Sequence, residues 1–394
     1  MWRLPGVGYV GGMTTLARRW PAWVSIAAAI WSAAYGALGV HWSSGGTGFP
    51  FGLDNDPTGG VSILSWVEAG QAAPVMAAVA LVGALVALAM SRGRGSPALR
   101  LALLTFAWAT AVMVALVIPD YRVLVVVAYA PIILIGTPLG LVEDVNLADA
   151  ITWPLVNQVL FIIGGLLWAL TAVGYQRRTR NACVVCGRDG QGEDRTASER
   201  AAAWGRWAAY VAVVVPLLYA ATRLAWAFGI PLGISEEFFR EGQEVGLWQL
   251  GGALGAMAVI GALLTLGLIR PWGEVVPQWL PWIGGRSVPA ALAIVPAALV
   301  SLLVTSAGLM FVRIVLAGAF ALGDIELGLN ENWAAIAPEL LWPIWGVALG
   351  AATAGYYHRR RGMCQHCGRG GHVAGRPGVP DSRRETGRIP RPGP

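Results

Sequence analysis

Lysine is missing from this chain: all 28 Lys+Arg positions are arginine. That excludes a Schiff base to retinal or pyridoxal phosphate, and a Walker A lysine. Histidine is nearly as scarce. Of His41, His358, His366 and His372, only His41 is placed near a span, which excludes a bundle carrying bis-histidine haems. No HExxH, His-x-x-x-His or GxSxG pattern occurs, and no span carries paired carboxylates. Intramembrane hydrolases and transferases therefore lack their usual machinery, and the chain leans away from an enzyme. Charge is scarce too: 13% of 394 residues, against 56% hydrophobic and a mean hydropathy of +0.59. Soluble chains carry about 25% charge. This composition belongs to an integral membrane protein.

Arginine without lysine, among so much Ala, Gly and Val, reads as the codon usage of a GC-rich bacterial genome. A pI near 9.4 does not argue for nucleic acid here, because in a membrane protein the placement of arginines matters more than their total.

A helix needs about 20 apolar residues to cross a bilayer. Such runs cover 22–42, 66–90, 100–118 and 152–175, then 205–229, 246–269, 288–308 and 334–357. Assigning the amino terminus, 91–100, 176–206, 270–287 and 358–394 to one side collects 24 of the 28 arginines and only 7 of the 22 acids. The positive-inside rule makes that side cytoplasmic, giving about eight spans with both termini inside a bacterial plasma membrane. The first run has an Arg-rich start but is long for a signal peptide, so it reads as a retained span. Two shorter apolar stretches, 121–140 and 309–323, lie between outside segments and cannot be full crossings. Each reads as a re-entrant or interfacial segment. Trp20, Trp23, Trp153 and Trp333 fall at span ends as an aromatic belt, while Trp272, Trp279 and Trp282 suggest a segment on the inner leaflet.

The chain also matches itself. GYQRRTRNACVVCGR (174–188) lies over GYYHRRRGMCQHCGR (355–369) at an offset of 181, which also sets Gln158 over Glu339, Gly165 over Gly346 and FPFGLDND (49–56) over IPLGISEE (230–237). EAGQ (68–71) pairs with REGQ (240–243) after a gap, and Arg122 with Arg313 in the short segments. The fold expected is all-α: two tandem parallel repeats of four spans, 1–190 and 204–370, each ending in a cytoplasmic knuckle. A linker, 191–203, joins them, and 371–394 is a disordered Arg/Pro/Gly-rich tail suited to anionic lipid. Gly251 with Gly255, and Ala80 with Ala84, suit close helix approach.

All four cysteines fall in two copies of one pattern, Cys183-x-x-Cys186-Gly-Arg and Cys364-x-x-Cys367-Gly-Arg. The pattern resembles zinc-ribbon or rubredoxin knuckles, a resemblance confined to these two short motifs. A pseudo-twofold axis would gather four thiolates around one tetrahedral ion, structural Zn²⁺ first and iron second. Arg177, Arg178, Arg180 and Arg188, with Arg359, Arg360, Arg361 and Arg369, are placed to offset its negative charge. Competing readings are two redox dithiols, His366 in place of one sulfur, or nothing bound.

Ionisable groups within spans are functional hypotheses by default. Arg223, Arg313, Gln158 and Glu339 are the substrate-cavity residues expected, lining an outward polar cavity, against a plainer reading in which Glu339 pairs with Arg313. The acids Asp54 and Asp56, with Glu236 and Glu237, read mainly as solvated loop charge. The leading function is a permease or channel-like transporter. The alternatives are a non-catalytic scaffold or sensor whose metal knuckle docks a cytoplasmic protein, and a membrane thiol oxidoreductase.

Overall fold

The computed structural model describes residues 11–56, 62–93, 95–139, 151–189, 194–316, 321–322, 325–326, 331–364 and 366–369. Arg3, the acids Glu143, Asp144, Asp149 and Asp324, and the tail 371–394 lie outside the described residues.

In chain order the helices are α1 (Gly11–Ser43), α2 (Ala69–Arg92), α3 (Pro97–Val112, continued by a π-helical turn over Met113–Val117), α4 (Arg122–Gly136), α5 (Trp153–Thr179), α6 (Asp194–Ala227), α7 (Glu236–Glu244), α8 (Leu247–Gly267), α9 (Ala290–Leu316), α10 (Ala337–Leu340) and α11 (Trp342–Arg360). Strand pairing among the described residues is confined to a two-residue ladder, Ala321–Leu322 with Ile325–Glu326, and one bridge, Val275 to Ser287. Local sequence sets several boundaries. Ser96 and Thr152 accept from the backbone N–H of Leu99 and Leu155, each followed by a proline at the first or second helical position. Proline is tolerated there because its missing N–H would have no helical partner anyway. Gly93, at φ 68°, ends α2 in the left-handed conformation that suits glycine.

Seven of these helices are long and apolar enough to cross a membrane: Arg19–Ser43 of α1, α2, α3 with its π turn, α5, Arg200–Ala227 of α6, α8 and α9. The protein is therefore a helical, multi-pass membrane protein. The eighth run, 334–357, forms α10 and α11. At 19 residues α11 reaches about 28 Å, but its Trp, Pro, Tyr and Arg content leaves it outside that set. It compensates by burial: Gly346, Leu349, Ala352, Gly355 and Tyr356 pack against protein rather than lipid.

The two short segments differ. Residues 122–136 form a helix of their own, α4, because Pro119 and Asp120 interrupt the chain after the π turn. Residues 309–316 have no proline before them and simply continue α9. Over 309–316 the second stretch is thus an outward extension of the preceding helix. Likewise the linker expected over 191–203 is already helix from Asp194 onward, the start of α6.

Packing follows small residues. The helix α1 packs on α2 and α5, and α5 on α3; α6 packs on α8 and α11, and α11 on α9. At Gly165 an added Cβ would sit 2.8 Å from Ala115 N and 2.9 Å from Ala111 O; at Gly346 it would sit 2.7 Å from Ser301 O and 2.9 Å from Thr305 N. Both glycines let a helix backbone touch its neighbour where a methyl would collide. Gly251 and Gly255 do meet α6, at Arg223. The two groups of helices join through α9, which packs on the π turn of α3 and on α4, with Ser306 Oγ donating to Pro119 O at 3.0 Å.

The helix ends sort into two faces of the molecule. At one, Arg178 at the end of α5 donates to Met90 O and Ser91 O at the end of α2, and Arg100 at the start of α3 donates to Thr179 O. Arg359 at the end of α11 reaches Leu268 O just after α8 in the same way. All four cysteines lie at this end.

Candidate metal centre

Each CxxC knuckle follows the last turn of a helix, α5 or α11, and the two fold alike. Cys183 N donates to Arg188 O at 2.9 Å and Gly187 N to Cys183 O at 2.7 Å; Cys364 N donates to Arg369 O at 2.8 Å and Gly368 N to Cys364 O at 2.8 Å. Gly187 and Gly368 have φ of 77° and 68°. Glycine is needed there because an L side chain rarely adopts that conformation.

The four Sγ atoms lie within 4.8 Å of one another, with Cys186 and Cys367 at 3.6 Å, and none is in a disulfide. Four thiolates at 2.3 Å from a tetrahedral ion would stand about 3.8 Å apart. The donors fit such an ion. Cys186 and Cys364 are buried, Cys183 and Cys367 partly so. His366 is exposed and outside the cluster.

Arginines bind the knuckles to each other. Arg188 Nη1 donates to Arg369 O at 2.6 Å and Arg369 Nη1 returns a bond to Arg188 O at 3.1 Å. A reciprocal contact of this kind is what a twofold interface produces. Arg361 Nη1 adds a bond to Cys186 O, Arg188 another to Gly362 O, and Arg177 caps Val184 O and Val185 O. Trp20 also donates to Val184 O, at 2.9 Å, and stacks under Arg177. It braces the knuckle and is more than a belt residue. Not all eight expected arginines serve the cluster. Arg178, Arg359 and Arg360 are spent on helix-end carbonyls or Glu274.

The environment splits the thiols. Burial pushes Cys186 up to about 12. Burial also acts on Cys183, but hydrogen bonds from the Cys186 and Val185 backbone and from neighbouring thiols outweigh it and bring that thiol down to about 7. Cys364 is lowered in the same way, by the Cys367 and His366 backbone. A cation bound by all four sulfurs would have to displace the proton that burial holds on Cys186.

No protein family, curated protein or solved structure matches the chain. The site must speak for itself.

The four polar residues expected to line one cavity fall into separate networks at the end opposite the cysteines. Arg223 and Glu339 are brought together, both buried, in a direct ion pair. Arg223 also donates to Ala334 O and Ala335 O, each at 3.1 Å, and its guanidinium lies 4.6 Å from the Tyr219 ring centre and 4.4 Å from that of Trp226. Glu339 thus pairs with Arg223 rather than Arg313. Gln158 instead joins Asp120, its Nε2 donating to Asp120 Oδ2 at 2.7 Å, and Asp120 and Asp56 both clamp Arg122 at 2.6–2.8 Å. Arg313 leaves both groups and donates to Val117 O at 2.5 Å.

Sequence reasoning missed Asp120 and the burial of Asp56. The Pro119-Asp120 break before an arginine was the available signal. None of the four expected residues lines either of two apolar cavities between the helices. One of about 590 Å³ sits between α2 and α3 among Trp31, Tyr35, Phe106, Phe161 and Trp168. Another of about 320 Å³ sits between α8 and α9 under Trp272 and Trp345.

Proposed function

We propose that the protein is a zinc-stapled membrane scaffold or sensor subunit, built from two tandem four-span repeats of a bacterial plasma membrane protein. The repeats are 1–190 and 204–370, with α11 as the eighth span and both termini cytoplasmic. The convergence of Cys183, Cys186, Cys364 and Cys367 from two chain segments 181 residues apart carries this reading. Four thiolates close the coordination sphere, so the ion ties the repeats together and has no open position for catalysis. Iron fits the same donors. A redox pair of dithiols fits less well, since the four sulfurs lie together in one cluster and not in two separate pairs. Val185, Met363 and His366 are exposed around the knuckles and offer a cytoplasmic protein a small, partly apolar surface.

A scaffold is favoured over a permease because Arg223, Glu339 and Gln158 are engaged in packed networks, while the cavities between α2 and α3 and between α8 and α9 are apolar. One observation keeps the permease as a second reading: Glu339 Oε2 and Arg313 Nη2 are buried and have no partner among the described residues. Ionisable groups inside a membrane are costly and mark ion or substrate pathways.

The test is elemental mass spectrometry with thiol titration on detergent-purified protein. One zinc per chain with four shielded thiols is expected. Metal-free protein with four titratable thiols overturns the stapled repeats. Glu339→Gln then separates the two readings. A permease loses flux with this change while staying folded and metallated, whereas a scaffold keeps its cellular phenotype; Cys183→Ser, which removes the staple, should harm both.

A further inference from the structure

A groove of about 800 Å³ runs along the outside of α3, walled by Leu101, Leu104, Trp108, Val112 and Val117. From Leu101 to Val117 it covers about 24 Å of helix, most of a hydrocarbon core about 30 Å thick. Its far end is apolar. Its near end, at the level of the cysteines, is closed by Gln176 and Arg180 of α5. Arg100, in the first turn of α3, stands beside them through its bond to Thr179 O at 3.1 Å.

Arg180 is the unusual member. Its counterpart 181 residues later, Arg361, is spent on Cys186 O across the knuckles. Arg180 is exposed, and its guanidinium has no hydrogen-bond or ion-pair partner among the described residues. The alignment that commits one arginine to the metal centre leaves the other at the mouth of an apolar groove. Guanidinium groups take phosphate oxygens in a paired fork. A free guanidinium and a second arginine above a long apolar wall match one ligand shape: a phosphate head with hydrocarbon attached.

We propose that this groove binds an anionic phospholipid from the leaflet on the cysteine side, its phosphate held by Arg180, Arg100 and Gln176 and its chain lying along α3. A free inorganic anion would use the arginines but leave Leu101, 69% exposed, and Val112, 46% exposed, uncovered. The proposal needs membrane embedding only and does not depend on the identity of the metal.

The full chain is reconstituted in nanodiscs of equal parts phosphatidylglycerol and phosphatidylcholine, washed in mild detergent and weighed by native mass spectrometry. About one phosphatidylglycerol retained per chain, in excess over phosphatidylcholine, is expected. Arg180→Gln should cut that excess about fivefold, the weight of one basic residue near an anionic surface. Arg92→Gln removes another exposed charge at the same end, away from the groove, and should leave the excess intact. Thr105→Trp fills the groove without touching a charge and should abolish retention of both lipids. Equal retention of the two lipids by the unaltered chain overturns the proposal. So does equal loss in the Arg92 and Arg180 variants, which would mean diffuse attraction, or full retention after Thr105→Trp.

Discussion

The two groups of helices hold their buried charge differently. In α1–α5 one arginine, Arg122, faces two acids, Asp56 and Asp120, with Gln158 completing the set. In α6–α11 one arginine, Arg223, faces one acid, Glu339, and makes up the difference with two carbonyls and two aromatic faces. Gln158 and Glu339 occupy equivalent positions at the offset of 181. The first group thus places a neutral amide on α5, where the arginine arrives with its own acids, and the second a carboxylate on α10, where it does not. What is preserved is satisfaction of a buried guanidinium. The residues that achieve it are exchangeable.

The elaborations are also exchanged. The first group has a long connection between α1 and α2 and only a short turn between α2 and α3. The second shortens the former and expands the latter into a hairpin. There Val276 and Arg286 pair through their backbones, and Arg359 and Arg360 hold Glu274. Trp279 and Trp282 project from that hairpin, 80% and 94% exposed.

The largest effect separating or joining the two groups should come from the cysteines. Cys186→Ser should remove the ion and cost on the order of 10 kcal/mol of coupled folding energy, as structural zinc does elsewhere. Thermal unfolding followed with and without a chelator reads it: the unaltered chain should be chelator-sensitive and the variant not. Acid should act in the same direction. Because burial holds a proton on Cys186 up to about 12 in the metal-free fold, metal entry releases protons, and retention should fall as pH is lowered. Zinc content after dialysis across a pH series checks this, and retention that rises with acid would contradict it.

Next come the arginines. Arg223→Leu strands one buried carboxylate and should cost about 3–5 kcal/mol. Arg122→Leu strands two and should cost more. Denaturation in detergent compares them, and equal losses would break the contrast between the two networks. Glycines rank below. Gly165→Leu and Gly346→Leu should each cost at least the ~1–3 kcal/mol of an overpacked contact, with the two losses alike if the helix crossings are equivalent. The smallest change is Trp282→Gly. Trp282 sits at φ 68°, so glycine relieves a local strain of about 1 kcal/mol and leaves the melting temperature unchanged or slightly raised.

Much of this was legible in the chain itself. Hydropathy located the long helices, since a helix that faces lipid must be apolar along its length. The CxxC repeats named the four sulfurs, and Gly187 and Gly368 marked the turns that aim them. The ion pairs were less legible. Arg223 and Glu339 were identified singly, as two of four cavity residues, and the plainer alternative paired Glu339 with Arg313, because a pairing across 116 residues depends on how α10 meets α6. Asp56 read as a solvated loop acid until Arg122 folded over it.

The sequence by itself thus determined membrane embedding, the approximate spans and the donor set for a metal, because these depend on composition and on spacing within a turn. Only the tertiary structure decided which arginine meets which acid and which arginines brace the knuckles. Those choices depend on helix crossings separated by a hundred residues or more. A buried guanidinium accepts any arrangement that satisfies its donors, so residue type alone does not fix the partner.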